Sequence, residues 1–126
     1  MIPTWWRDIK YFKPEEFDSP DMPGSGATFM NEEFVRLLCD LRYNTGRPMT
    51  ITSGYRTASH NKSVGGKNNS AHRRGLAADI KASTTSERFE VVGYAMEMGI
   101  RRIGIAKTFV HIDIDLSLPQ NVIWLY

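Results

Sequence analysis

The stretch SAHRRGLAADI, Ser70–Ile80, governs the interpretation of this chain together with a second stretch, FVHIDID, Phe109–Asp115. The first stretch places His72 seven residues before Asp79. This spacing is not helical, so only a turn from a loop into a strand brings the two side chains together. Gly75 and the small residues after it let the backbone turn tightly. Imidazole nitrogen and carboxylate oxygen are zinc ligands, and a catalytic zinc site uses three protein ligands.

The second stretch alternates polar and apolar residues with the period of a β-strand. His111, Asp113 and Asp115 share one face with Phe109, whereas the opposite face is apolar. A face with a histidine and two aspartates is typical of the wall of a polar cleft. Asp79 also stands on an otherwise apolar strand, where an unpaired carboxylate costs on the order of several kcal/mol. Taken singly, each histidine is equally explained as a surface or hydrogen-bonded residue, and spacing alone leaves both interpretations open.

Composition limits the classes of function. The 126 residues are 41% hydrophobic and 24% charged, with a net charge of +2. This mild, scattered positive charge suits an anionic partner such as a cell-wall polymer and does not predict nucleic-acid binding. No run approaches the roughly 18 apolar residues of a membrane span, and the N-terminus lacks a signal-peptide core. We therefore expect a soluble protein made in the cytoplasm, without nucleic-acid or membrane partners.

The chain is predicted to form one domain, residues 1–126, with an irregular N-terminal arm over residues 1–30. Prolines and glycines break long elements in this arm, and its aromatic residues are expected to pin it to the domain. The single cysteine, Cys39, excludes an internal disulfide. It falls inside the apolar stripe of a predicted helix, so we expect a buried structural thiol.

Two main helices are predicted, one from the Asn31 N-cap to Gly46 and one from a cap at Thr84 to Gly99. On the second helix, the expected core stripe is Phe89, Val92, Ala95 and Met96. A short helix is predicted in RTASHNKSV. Strands are predicted in MTITSGY, LAADIKA, RRIGIA, TFVHIDIDL and, at an edge, NVIWLY. This order favours an α+β fold with the helices packed on one mainly antiparallel sheet.

Within Ser70–Asp79, the serine, histidine, glycine, alanine and aspartate resemble the Ser-x-His-x-x-Gly-x-Ala-x-Asp motif of the D-Ala-D-Ala-type zinc metallopeptidases. That family includes zinc D,D-carboxypeptidases, D,D-dipeptidases and phage endolysins that cut L-alanyl-D-glutamate bonds, and it is related to the hedgehog fold. YFKPEEF resembles the opening segment of its small, phage-rich branch. ITSGYRTASHN resembles its Ser-Gly-Tyr-Arg element, and TFVHIDID its closing metal strand. The resemblance covers roughly residues 9–115.

The resemblance implies that three residues hold one zinc ion per chain: His72, Asp79 and His111. It also implies that Arg56 faces the site, where its fixed cation holds a substrate carboxylate or carbonyl and stabilises the developing oxyanion. The alternative for Arg56 is a residue that braces the turn after a strand. Ser70 is expected to orient the loop or a ligand. His60, on the short helix, is expected near the site, behind a ligand or in a structural role.

The sequence departs from the family at the general base. Many members carry Glu or Asp three residues before the last zinc histidine, where this chain has Thr108. Asp113 is then the candidate base or orienter of the attacking water, about 7 Å along the strand from His111 on the same face. Its alternative role is only to hydrogen-bond a ligand. Asp115 is expected to be a solvated charge at the strand end.

A second register also stays open. Members with a His-x-His strand use its first histidine near the site, and this chain has Phe109 there if His111 is the ligand. In the alternative register, His111 takes the place of that first histidine and Asp113 is the third ligand.

The resulting prediction is a monomeric zinc peptidase that hydrolyses peptidoglycan stem peptides, as a D,D-carboxypeptidase or an L-Ala-D-Glu endopeptidase. We expect a phage or prophage enzyme that reaches the cell wall after release by a holin or as part of the virion. The alternative is a non-catalytic, zinc-stabilised module that holds cell-wall peptide, which the missing carboxylate at Thr108 favours.

Overall fold

A five-stranded sheet forms the centre of the fold in the computed structural model, which describes residues 2–126. Its strands are β1 Ile51–Ser53, β2 Ala77–Lys81, β3 Arg102–Ile105, β4 Phe109–Asp113 and β5 Val122–Leu125. They lie in the order β1-β2-β4-β3-β5, and every neighbouring pair is antiparallel except β3 with β5. The predicted α+β fold with a mainly antiparallel sheet is therefore confirmed, and the C-terminal stretch forms an edge strand.

Four α-helices occur within residues 2–126: α1 Ser25–Phe29, α2 Glu32–Thr45, α3 Ala58–Ser63 and α4 Thr85–Glu97. Asn31 caps α2, because its side-chain oxygen accepts a hydrogen bond from the backbone N–H of Phe34 at 2.9 Å. Gly46 ends α2 with a φ of 68°, a conformation that glycine adopts at little cost. Thr84 caps α4 and forms a reciprocal capping box with Glu87. Among residues 2–126, no helix has the length and apolar character needed to cross a membrane.

The core lies between the main helices and the apolar face of the sheet. Val110 and Ile112 of β4 are fully buried there, as the alternation predicts. The stripe predicted on α4 is wrong in part, since Phe89 is 81% exposed and Met96 is also exposed. Val91 faces the core instead, whereas Ala95 is fully buried as predicted. Phe89 precedes Val91 by two residues, about 200° of helix rotation, so it points away from the core.

The N-terminal arm is more regular than predicted. It contains 3-10 helices at Thr4–Asp8 and Pro14–Phe17 in addition to α1. Pro14 begins the second of these helices, because its missing N–H costs nothing at the first helical position. Trp6 is buried, and its indole N–H donates to the carbonyl oxygen of Ala27 at 3.0 Å. Cys39 is only partly buried, with its sulfur 3.1 Å from the carbonyl oxygen of Lys10.

Candidate metal site

The predicted ligands meet on the polar face of the sheet. Asp79 of β2 lies directly opposite His111 of β4 in the antiparallel register. His72 lies on one turn of 3-10 helix rather than in an open loop, and the hydroxyl of Ser70 accepts its backbone N–H at 3.2 Å. Gly75 ends this turn with a φ of 70°. The chain then enters β2, so the tight turn places His72 beside the strand that carries Asp79.

The candidate ligand atoms are close enough to surround one ion. His72 Nε2 lies 3.2 Å from Asp79 Oδ1 and 3.2 Å from His111 Nδ1. His111 Nδ1 lies 2.9 Å from the same carboxylate oxygen. Tetrahedral ligands of one zinc ion are about 3.3 Å apart, given zinc–ligand distances of about 2.0–2.2 Å. These separations therefore fit a single small cation.

Each imidazole is oriented by a hydrogen bond on its far side. His72 Nδ1 lies 2.7 Å from the carbonyl oxygen of Gly54, which only accepts, so this nitrogen carries the proton. His111 Nε2 likewise donates to Asp113 Oδ2 at 2.7 Å. The other nitrogen of each neutral ring thus directs a lone pair toward Asp79. Lone pairs that converge in a buried position repel one another unless a cation or proton lies between them. These three ligand atoms therefore suit a metal ion.

The surroundings also set the charge states of the three residues. Burial lowers the pKa of His72 below its ordinary value. Burial opposes ionisation of Asp79, but its close contacts with the His111 and His72 imidazoles outweigh burial and hold the Asp79 pKa well below its usual range. Burial also acts to lower the pKa of His111, but hydrogen bonds to Asp113 and Asp79 raise it. A charged Asp79 and a neutral His72 are the forms that bind metal, and a metal ion competes with a proton at His111.

Asp113 lies behind His111 rather than beside the candidate ion position. One carboxylate oxygen accepts from His111, as described above. The other accepts from Arg102 Nε at 2.8 Å and from the backbone N–H of Asp115 at 3.1 Å. The residue is 1% exposed, and protein donors engage both of its oxygens. This placement does not support a general base, and the three residues grouped as a possible metal site include His111 rather than Asp113, which favours the first register.

Asp115 is not the solvated charge that was predicted, since it is 2% exposed. Its carboxylate accepts from the hydroxyl and the backbone N–H of Ser117, at 2.6 and 3.0 Å, and pairs with Arg74. The chain turns sharply after β4, and Asp115 satisfies the backbone of this turn in the manner of an Asx-turn.

Arg56 lies at the edge of the site and lines the cleft above it. Its Nη2 is 3.3 Å from Asp79 Oδ2, its Nη1 is 3.3 Å from Asn61 Oδ1, and its Nε is 3.0 Å from the hydroxyl of Ser53. Three of its five N–H groups are thus engaged, which leaves two for a ligand. Arg56 therefore braces the turn and neutralises Asp79 at the same time.

Helix α3 turns Asn61 rather than His60 toward the site. Asn61 is buried and also donates to the carbonyl oxygen of Lys67 at 2.8 Å. His60 lies near Asp21, whose pKa it helps to lower, and it does not line the cleft. Consecutive helical residues point about 100° apart, so the two side chains cannot both face inward. His60 therefore does not line the cleft, and sequence reasoning missed Asn61.

A cleft of about 910 Å³ lies over the candidate ligands. The loop of residues 64–70 forms one wall, and residues 118–126 form much of the other. Of the described residues that line it, only Asp79 and Asp113 have a carboxylate side chain. Sequence reasoning also missed Trp124 and Tyr126 on the second wall, although their alternating positions in NVIWLY were a usable signal.

Comparison with known proteins assigns the family. The family model described as Peptidase M15 matches residues 10–115, which include all three candidate ligands. The chain belongs to the peptidase M15 family. The resemblance to the D-Ala-D-Ala zinc peptidases is thereby confirmed. The M15 peptidases are zinc-dependent, which agrees with the donor set described above. The comparison with curated proteins found no match.

This member of the M15 family has no carboxylate at the position three residues before the last candidate ligand. Thr108 stands there, exposed at the turn between β3 and β4. Its backbone oxygen accepts from Ala82, and its hydroxyl is too weak a base to take a proton from water at neutral pH. The departure seen in the sequence therefore persists in the folded chain.

Proposed function

We propose that this member of the M15 family is a zinc metallopeptidase that hydrolyses the stem peptides of peptidoglycan. The observation that carries the proposal is the convergence of two imidazole lone pairs and one carboxylate within 3.2 Å, at a cleft that admits a peptide. Cleavage at a D,D bond or at an L-Ala-D-Glu bond both fit this chemistry. We further propose a phage or prophage lysis enzyme, released by a holin or carried in the virion.

The side chains of the site divide the work of amide hydrolysis. His72, Asp79 and His111 would hold the zinc, which when bound supplies a Lewis acid for water and carbonyl activation. Gly54 and Asp113 keep the two imidazoles in their ligating tautomers. Arg56 offers two further N–H groups for the carbonyl oxygen, where negative charge develops during attack.

The activity can be tested on purified peptidoglycan. The zinc-loaded protein should release soluble peptides, because the site needs its metal for Lewis-acid chemistry. A chelator should abolish this release, and added zinc should restore it. Mass analysis of the released fragments identifies the bond that is cut. Release that continues unchanged after verified removal of zinc would contradict the proposal.

One observation favours a second candidate, a zinc-stabilised module that binds cell-wall peptide without cutting it. Thr108 cannot act as a base, and both oxygens of Asp113 are engaged by protein donors. The two candidates differ in one result. A binding module would retain stem peptides on a zinc-loaded column and would release no fragments from peptidoglycan.

Arg56→Ala should lower kcat/KM about 100-fold or more, because the site loses a cation next to the developing oxyanion. Arg56→Lys should restore only part of this activity, since lysine lacks the planar fork that contacts Asp79, Asn61 and the substrate together. Steady-state kinetics at saturating zinc give both values. Arg47→Ala, which removes an exposed arginine paired with Glu90, is the matched control. Normal turnover in Arg56→Ala would mean that Arg56 only braces the turn.

A further inference from the structure

The edge strand β5 and the residue after it place two aromatic rings beside the candidate metal ligands. Trp124 lies opposite Gly104 in the pairing of β3 with β5, and its ring centroid is 5.2 Å from that of His111. The ring of Tyr126 packs against Phe109, with centroids 5.0 Å apart, and lies 6.5 Å from that of Trp124. Both rings line the cleft. We call Trp124 and Tyr126 the aromatic wall.

Gly104 leaves room for the two rings because it has no side chain. A Cβ atom on Gly104 would lie 2.6 Å from Nε1 of Trp124 and 2.8 Å from a ring carbon of Tyr126, too close for any real Cβ contact. Arg102 fixes the wall from the side, with its guanidinium carbon 4.9 Å from the Trp124 ring centre. Its Nη1 also donates to the carbonyl oxygen of Pro119 at 2.7 Å. Gly104 and Arg102 therefore hold the rings in place next to the ligands.

The aromatic wall nevertheless stays open to the cleft. Trp124 is partly exposed and Tyr126 is 66% exposed, although both stand on a sheet with a well-packed core. Rigid aromatic rings left open beside polar groups are typical of binding surfaces. The facing loop, by contrast, is rich in glycine and polar residues, including Gly65, Gly66 and Lys67. A peptide in this cleft thus meets one apolar wall and one mainly polar wall.

We infer that Trp124 and Tyr126 determine specificity by packing against the apolar side chain next to the scissile bond of the bound peptide. This inference rests on the proposed function, in which the substrate is a stem peptide with alanine methyl groups beside the bond to be cut. Both residues follow residue 115, where the family match ends. The aromatic wall is therefore a feature of this chain beyond the part that the family comparison describes.

Steady-state kinetics and calorimetric binding of an alanine-containing stem peptide to the zinc-loaded full chain test the wall. Trp124→Ala and Tyr126→Ala should each raise KM and the dissociation constant about tenfold, with kcat changed less than about threefold. Gly104→Ala should shift both constants in the same direction, because its Cβ displaces the rings without removing them. Ile123→Ala is the control, since Ile123 lies opposite Ile103 on the same strand, next to Trp124, and does not line the cleft.

Each outcome decides between the inference and the function on which it rests. Unchanged KM and binding in Tyr126→Ala, with zinc retained and the wild type active, would overturn the role of the wall and leave the peptidase intact. A change confined to kcat would assign the rings to support of His111 and would also overturn it. A zinc-loaded wild type that neither binds nor cuts stem peptides would instead refute the proposed function. Should Trp124→Ala fail to fold, Tyr126→Ala and Gly104→Ala decide, because they leave the Trp124 ring present.

Discussion

Asp79→Ala should eliminate stoichiometric zinc binding and, with it, all measurable peptide hydrolysis. Asp79 supplies the one negative charge among the three candidate ligand atoms, and its Oδ1 lies within 3.2 Å of both ligating nitrogens. Without it two neutral imidazoles remain, whereas zinc sites in proteins use three or four protein ligands. We expect zinc affinity to fall by more than about 100-fold, beyond the range seen when only an outer partner of a ligand is lost. Metal analysis after dialysis against zinc-free buffer measures the effect.

Asp40→Ala provides the matched control for Asp79→Ala. Asp40 is an exposed carboxylate on α2, outside the cleft, so its removal changes the net charge equally and should leave one zinc ion per chain. His72→Ala should resemble Asp79→Ala, because it also leaves two ligands. Full zinc occupancy in Asp79→Ala would show that the metal binds elsewhere, and the assignment of the three residues would then be wrong.

The candidate ligands could be predicted because each has a local signature in the sequence. His111 lies on a strand with clear alternation of polar and apolar residues, and Asp79 interrupts an apolar strand. The sequence alone therefore indicated on which face of its strand each side chain lies. The antiparallel pairing of β2 with β4 then places them opposite each other. His72 needed the resemblance to a known motif, since a histidine in a polar stretch has no periodic signal. Its 3-10 turn and its bond to Gly54 were not predicted.

The surroundings of the ligands could not be predicted, because they depend on contacts between residues distant in the sequence. Arg102 reaches Asp113 only because the two pair across β3 and β4, and it reaches Pro119 through a turn with no regular pattern. The burial of Asp115 was also missed, because the alternation of a strand does not predict the turn that follows it. The aromatic wall likewise depends on the parallel pairing of β5 with β3, which an edge-strand assignment leaves open.

Asp113→Asn should weaken zinc binding about 10- to 100-fold, because the carboxylate that orients the His111 ring is replaced by a neutral amide. The amide can accept from His111 Nε2 or from Arg102 with its single oxygen, so one of these donors then faces an N–H₂ group. Arg102 also loses its charge partner, and this loss is costly because the Arg102 side chain is only 12% exposed. Asp113→Ala, which removes both acceptors, should therefore lower the free energy of unfolding by about 3–5 kcal/mol. Zinc titration and chemical denaturation measure the two effects.

The zinc dependence of turnover separates a positioning role for Asp113 from a catalytic one. If Asp113 positions His111, raising the zinc concentration should restore a large part of the hydrolysis lost in Asp113→Asn, since the metal then fills the weakened site. If Asp113 accepts a proton during the reaction, the variant should bind zinc normally and stay inactive at every zinc concentration. Asp115→Asn is the matched control, because Asp115 is equally buried and paired with an arginine but has no contact with His111. The Asp115→Asn variant should lose stability without losing zinc affinity. A similar fall in zinc affinity in both variants would instead indicate a general loosening of the strand end. The hydrogen bond between Asp113 and His111 would then not be the cause.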